Sequence, residues 1–341
     1  MITRIALDED PNRTGNLMLL FAPQSDRPFG LAISRNLQIE LAECEERDFE
    51  DGEHKIRPLS CVREKDVYIV QSLYSDPAKS VNDKFCRLLF FMGAIRDAGA
   101  RRITAVIPYL CYARKDRKTK IQDPITSRYV AQLLECAGAD VVVTMDVHNV
   151  AAFQNSFRKP CVHLEAIPVF LSYFVSQNLQ NSLTVVSPDA GGMKRAESFR
   201  QALSERLQCD IPLAMLEKHR SQGIVRGDIF AGDVAGRRAI IVDDLISTGT
   251  TLVRSAHACR ERGAIDVIAV ATHGLMVEKT SDVLADRALS QVVITNTVTP
   301  WHIHGTVAEG DVKILDVAPM FAQAIRRLHE GGPIEGESLW K

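Results

Sequence analysis

None of the eight cysteines in this chain belongs to a Cys-x-x-Cys pair, so neither a zinc site nor a disulfide framework is indicated. Cys61, Cys86, Cys111, Cys136 and Cys161 fall 25 residues apart, but their flanking residues do not match, and the spacing is not a repeat. No apolar run reaches the length of a membrane span, and the first ten residues lack the apolar core of a signal peptide. The expectation is a cytoplasmic protein with no membrane partner. The net charge of −2 exerts no global pull toward nucleic acid, so local charge has to be read locally.

What the chain does have is length and alternation. Its 341 residues, 46% of them hydrophobic, are enough for two ordinary cores. After a polar extension over residues 1–15, strand patterns at 17–21, 40–47, 66–71, 102–108 and 141–145 alternate with helix patterns at 27–36, 82–98 and 123–136. Beyond Glu165-Ala-Ile-Pro168 the alternation resumes, with strands at 183–187, 213–216, 239–242, 266–271, 291–295 and 313–316. The helices of this half are placed at 196–207, 252–263 and 318–329. The pattern predicts an α/β protein of two doubly wound domains with mainly parallel sheets. The boundaries fall at 1–164 and 165–317, and the last segment, 318–341, is expected to pack back on the first domain.

The stretch Ala239–Thr251 concentrates the chemistry. Four apolar residues end in Asp243-Asp244, and Ser247-Thr248-Gly249-Thr250-Thr251 leads into an amphipathic segment. In open α/β sheets ligands sit beyond the carboxyl ends of strands, where the next helix offers unpaired N–H groups to an anion. Gly249 permits close backbone approach, the hydroxyls add donors, and the paired carboxylates suit sugar hydroxyls or magnesium. A phosphorylated sugar satisfies both ends. A plain N-capped helix after a parallel strand would read the same way.

Other segments are individually ambiguous. Phe49-Glu-Asp51-Gly-Glu53-His is first of all a hairpin turn. The run Tyr112–Lys120, with Arg114, Lys115, Asp116 and Arg117, is either a solvated face or a polyphosphate site. Asp146-x-His148 follows a strand, and on an extended chain its alternate side chains would converge on one cation. Asp189-Ala-Gly191-Gly192-Met-Lys194-Arg195 is a glycine turn with basic residues in a first helical turn. Lys218 and Arg220 stand on a polar stretch that reads as a mobile loop.

Taken in order, these segments resemble the motifs of the ribose-phosphate diphosphokinases (PRPP synthetases), and the Asp243–Thr251 loop is similar also to that of the type I phosphoribosyltransferases. The resemblance runs from about residue 17 to 331 and implies two phosphoribosyltransferase-like domains. It implies the substrates ATP and ribose 5-phosphate, with Mg2+ as cofactor. ATP contacts would come from Phe49, Asp51, Glu53, Arg114, Asp116, Arg117 and His148. The first three would reach a neighbouring subunit, so a homo-oligomer is expected, dimer-based, with a hexamer as one form. Metal contacts are implied for Asp146, His148 and Asp189, and a diphosphate loop for Asp189, Gly191, Gly192, Lys194 and Arg195. The resemblance makes Asp243, Asp244, Ser247, Thr248, Gly249, Thr250 and Thr251 the ribose 5-phosphate site, and Lys218 and Arg220 the catalytic cations.

Three positions depart from the family pattern: Lys115 replaces glutamine, Ser247 aspartate and Thr250 a glycine. A phosphoribosyltransferase and a non-catalytic regulatory homologue are the alternatives. The first would need the sugar loop alone, and the second would be favoured by loss of metal ligands or mobile-loop cations, which are present.

Overall fold

Strands such as Val-Tyr-Ile-Val and Val-Val-Val-Thr-Met are buried on both faces, which a parallel sheet covered by helices requires. The computed structural model describes residues 18–177, 182–221, 224–277, 280–303 and 311–333, with only the backbone described at 218–221 and 224–228. The first half runs β1 (Met18–Phe21), α1 (Arg27–Leu37), β2 (Leu41–Ala42), β3 (Cys44–Asp48), β4 (His54–Pro58), β5 (Asp66–Val70), α2 (Val81–Asp97), β6 (Arg102–Ile107), α3 (Thr126–Cys136), β7 (Val141–Met145), α4 (Val150–Ser156) and β8 (Cys161–Leu164). The second runs α5 (Ile167–Ser176), β9 (Leu183–Ser187), α6 (Met193–Leu207), β10 (Leu213–Ser221), β11 (Ile224–Ala231), β12 (Arg238–Ile246), α7 (Thr250–Glu261), β13 (Asp266–Gly274), α8 (Thr280–Leu284), β14 (Gln291–Thr295), β15 (Val312–Leu315) and α9 (Ala318–Glu330).

Among the described residues, β2-β1-β5-β6-β7-β8 form one sheet with every pair parallel. The order β11-β10-β9-β12-β13-β14-β15 forms the second, antiparallel only between β10 and β11. β3 and β4 make a separate antiparallel ribbon. The expected α/β class with mainly parallel sheets is what the chain adopts.

One apolar cluster runs through both halves, joining Leu20, Val143 and Leu164 to Val185, Phe199 and Ile240 by way of Phe170, Phe174, Phe321 and Ile325. Two further clusters cover the opposite faces of the sheets. Helix α9 lies against α1: the rings of Phe29 and Phe321 meet edge to face at 5.6 Å, and Arg326 donates to the Asn36 carbonyl at 2.9 Å. At its end, His329 Nδ1 lies 2.7 Å from the buried Asp66, which also holds Arg102.

Four element readings need correction. The single strand at 40–47 is two, because Leu41–Ala42 pairs with β1 and the chain then turns at Glu43 to pair β3 with β4. The helix placed at 123–136 starts three residues later, and Asp123 lies outside it. Its carboxylate is taken by donors upstream, from Lys115, Thr119 and Lys120, and the helix begins at Thr126. The polar stretch after Leu216 forms strand rather than loop: β10 pairs antiparallel with β11 at the edge of the second sheet. Finally, β12 continues to Ile246, so Asp243 and Asp244 lie inside the strand rather than beyond it.

Candidate active site

The carboxyl ends of β6 and β7 in one half and of β12 and β13 in the other converge on a narrow cleft, lined by Tyr109, Arg114, Asp146, His148, Asp244 and His273 among others. Strand polarity explains the convergence, since parallel strands deliver all their carboxyl ends to one edge.

Across the cleft, His148 Nδ1 lies 2.7 Å from Asp244 Oδ2. Arg195, from the first turn of α6, approaches Asp243 at 3.7 Å and Asp244 at 3.6 Å. These contacts split two adjacent carboxyls into unlike groups. Burial and the charge of its neighbour push Asp243 up to about 8. Burial opposes ionisation of Asp244 too, but the hydrogen bond from His148 and the Arg195 charge hold it below the usual carboxylate range. His148 rises in turn, chiefly through its hydrogen bond to Asp244.

Asp146 and His148 do not converge on one point as alternate residues of a strand would. β7 stops at Met145, and Asp146 adopts a left-handed φ of 39°, which breaks the alternation. Asp146 Oδ2 accepts from the Ala166 N–H at 3.0 Å and from the Thr272 hydroxyl, whereas His148 turns to Asp244. Asp189 Oδ1 accepts the Gly192 N–H at 2.9 Å and so shapes its own turn. The turn is tight at both glycines: a Cβ on Gly192 would stand 3.0 Å from Ser187 Oγ, and one on Gly191 3.2 Å from Asp189 Oδ1. Lys194 is exposed in the first turn of α6 beside Arg195.

The hydroxyl-rich loop lies between β12 and α7. Gly249 takes a φ of 76° and caps the helix, and the Thr248 and Thr250 hydroxyls meet at 2.7 Å. The Ser247 carbonyl accepts from Val277 N–H and Thr280 Oγ1, so its backbone is fixed. Thr250 and Thr251 open α7, whose first-turn N–H groups face the loop.

On the nucleotide side, Arg114 lines the cleft and Asp116 accepts from Asn149 at 2.7 Å, while Arg117 is exposed. Lys115, the departure from glutamine, folds back to Asp123 at 2.6 Å. Phe49, Asp51 and Glu53 sit at the β3–β4 tip, where Asp51 accepts the Glu53 N–H at 3.0 Å and the Arg47 guanidinium lies 5.0 Å from the Phe49 ring centroid. None of the three lines the cleft within the described residues. The side chains of Lys218 and Arg220 lie outside the described residues; their backbone pairs with Asp228 and Val225. Tyr109, Thr272 and His273 were given no role from sequence, although their place at strand carboxyl ends was the available signal.

Comparison with known proteins places these features in one family. Residues 18–138 match the model of the N-terminal domain of ribose phosphate pyrophosphokinase, and 228–336 that of the phosphoribosyl synthetase-associated domain. A ribose-phosphate pyrophosphokinase from Caldanaerobacter subterraneus subsp. tengcongensis is 38% identical over 94% of this chain and 97% of its own length. Ribose-phosphate pyrophosphokinase A of Dictyostelium discoideum is 36% identical over the same shares. The crystal structure of phosphoribosylpyrophosphate synthetase from Mycobacterium smegmatis superposes with a TM-score of 0.83 at 32% identity, covering 92% of this chain and 99% of that one. Agreement over nearly the whole length, in sequence and in fold, means that this chain belongs to the ribose-phosphate pyrophosphokinase family of enzymes.

Proposed function

We propose that the enzyme transfers the β,γ-diphosphoryl group of ATP to the anomeric hydroxyl of ribose 5-phosphate, giving PRPP and AMP. The observation that carries this reading is the meeting of Arg114 and His148 from one half with Asp244 and Arg195 from the other at a single cleft. The sugar phosphate takes the Ser247–Thr251 loop, with backbone donors, hydroxyls and the α7 dipole as its partners. Asp243 and Asp244 take the ribose hydroxyls. In-line attack on the β-phosphorus demands alignment and charge neutralisation more than covalent help. Arg114, Lys194, Arg195, Lys218 and Arg220 supply the positive charge, Lys218 and Arg220 as the catalytic pair.

The donor set fits magnesium of a particular kind. Asp146 and Asp189 each keep one carboxylate oxygen outside the hydrogen bonds described above, and no group of three His, Cys, Asp or Glu side chains placed to hold a metal occurs among the described residues. So sparse a set suits an ion carried mainly by phosphate oxygens and water. The remaining oxygens of Asp146 and Asp189 would be offered to it, His148 being engaged with Asp244, and when bound it would neutralise triphosphate charge.

The reading extends to organisation. The domains divide at 164/165, with α9 serving the first. The hairpin tip carries Phe49, Asp51 and Glu53 away from the chain's own cleft, so adenine contact by a neighbouring copy requires a homo-oligomer. Work in the cytoplasm suits eight unpaired cysteines.

The test is product analysis with ATP, ribose 5-phosphate and magnesium, wild type beside Lys218→Ala. Equimolar AMP and PRPP from wild type, with most of the rate lost in a folded variant, supports the assignment. A wild type that makes neither product overturns it in favour of a non-catalytic homologue.

A further inference from the structure

The end of β13 carries Thr272-His273-Gly274, a triplet to which the reaction assigns no part. His273 is 2% exposed, and its ring joins the two halves of the chain. Nε2 lies 3.0 Å from the carbonyl oxygen of Met145, the last residue of β7, and Nδ1 lies 2.9 Å from Thr297 Oγ1. A carbonyl can only accept, so Nε2 carries the hydrogen, and Nδ1 of the neutral ring accepts from the Thr297 hydroxyl. One tautomer therefore satisfies both contacts.

The contacts continue into a closed circuit. The Thr297 carbonyl accepts from Ser72 Oγ at 2.6 Å, Ser72 Oγ accepts from the Tyr109 N–H at 3.0 Å, and the Tyr109 ring packs edge-on against His273 at 5.0 Å. The ends of β5, β6 and β7 are thereby tied to those of β13 and β14. Beside the circuit, the Thr272 hydroxyl donates to Asp146. Residues 145 and 146 are both gripped from the second half just before His148 reaches Asp244.

We propose that His273 is a positioning residue for diphosphoryl transfer: oriented by Thr297, it fixes the Met145–His148 segment and so aligns the nucleotide side of the cleft with the sugar side. This rests on the functional reading above. Misalignment by about 1 Å can cost on the order of 100-fold in rate, and breaking the buried His273 Nε2 link deprives the Met145 carbonyl of this donor.

The test compares His273→Asn, His273→Gln and Thr297→Val with the wild-type full chain. Asparagine keeps an amide near the Nδ1 position but cannot reach Met145, whereas glutamine regains that reach. The expected result is a kcat loss of about 100-fold for His273→Asn and under about 10-fold for His273→Gln, with both KM values within about twofold. Thr297→Val, which frees the tautomer without touching Met145, should lower kcat about 10-fold and speed amide hydrogen exchange at residues 145–148. Equal kcat in the Asn and Gln variants, a loss confined to KM, or wild-type exchange in Thr297→Val overturns the proposal; should the His273 variants not fold, the Thr297→Val result decides. The exchange readout needs no turnover, so an inactive wild type would count against the functional reading alone.

Discussion

His148 and Asp244 meet at 2.7 Å across the cleft, one from the segment after β7 and the other from within β12. The hydrogen bond from His148 and the Arg195 charge favour the ionised form of Asp244, while burial and its neighbour's charge push Asp243 up. Asp244→Asn should therefore raise the KM for ribose 5-phosphate by roughly 10- to 100-fold, matching the ~1.5–3 kcal/mol of a hydrogen bond to a charged group. Asp243→Asn, which removes the acid whose charge burial and Asp244 disfavour, should have a smaller effect. Steady-state kinetics of the two variants side by side would show the order, and the reverse order would refute the assignment of charge.

The anchoring of α9 depends on Asp66, which is buried and held by Arg102, His329 and Tyr68. Burial opposes its ionisation, but the hydrogen bonds from Arg102 and His329 more than offset that and hold it below the ordinary carboxylate value. A depressed carboxylate contributes stability that is present above its unfolded pKa and lost as pH falls through the folded one. Asp66→Asn should cost about 1.5–3 kcal/mol at pH 7, the range of a hydrogen bond to a charged group. In urea titrations its deficit relative to wild type should shrink as pH drops below about 4. A deficit independent of pH would mean that packing, not charge, is lost.

Gly249 is favoured by its φ of 76°, and a Cβ there would stand 3.2 Å from Val283 Cγ1 and Leu284 Cδ2, side-chain ends that would have to shift by a few tenths of an ångström. Gly249→Ala should destabilise the protein by about 1–2 kcal/mol through the left-handed backbone. Displacing the loop should also raise the KM for ribose 5-phosphate while leaving that for ATP near wild type. Equal effects on both substrates would speak against the loop as the sugar-phosphate site.

Lys115 is not aimed at the cleft but clamped to Asp123, whose carboxylate also accepts from Thr119 and Lys120. Asp123→Asn should loosen the whole basic segment and raise the KM for ATP several-fold, about the range expected of exposed charged contacts, with little change in unfolding midpoint. Lys115→Gln should behave similarly. If either variant leaves the KM for ATP unchanged, the clamp does not order the nucleotide side.

The fold was legible because apolar runs of strand length, such as Val141–Met145, alternate with amphipathic helix patterns. Misreadings arose where a local cue met a tertiary competitor. Asp123-Pro124 looks like a helix start, but the basic segment upstream claims the carboxylate. Asp146-x-His148 looks like a converging pair, but the left-handed turn at Asp146 separates them. The partnership of His148 with Asp244 spans 96 positions, and nothing in either residue's neighbourhood announces it. His273 was in plain view yet silent, because its meaning lies in Met145 and Thr297, which only the fold brings to it.

The most direct test of the central claim follows the label. ATP carrying 32P at the β position is incubated with ribose 5-phosphate, magnesium and the wild-type enzyme, and the products are separated. Diphosphoryl transfer predicts that all transferred label appears in PRPP, with unlabelled AMP in equal amount. Label retained in ADP, with an unlabelled ribose bisphosphate as the sugar product, would show attack at the γ-phosphorus and contradict the account.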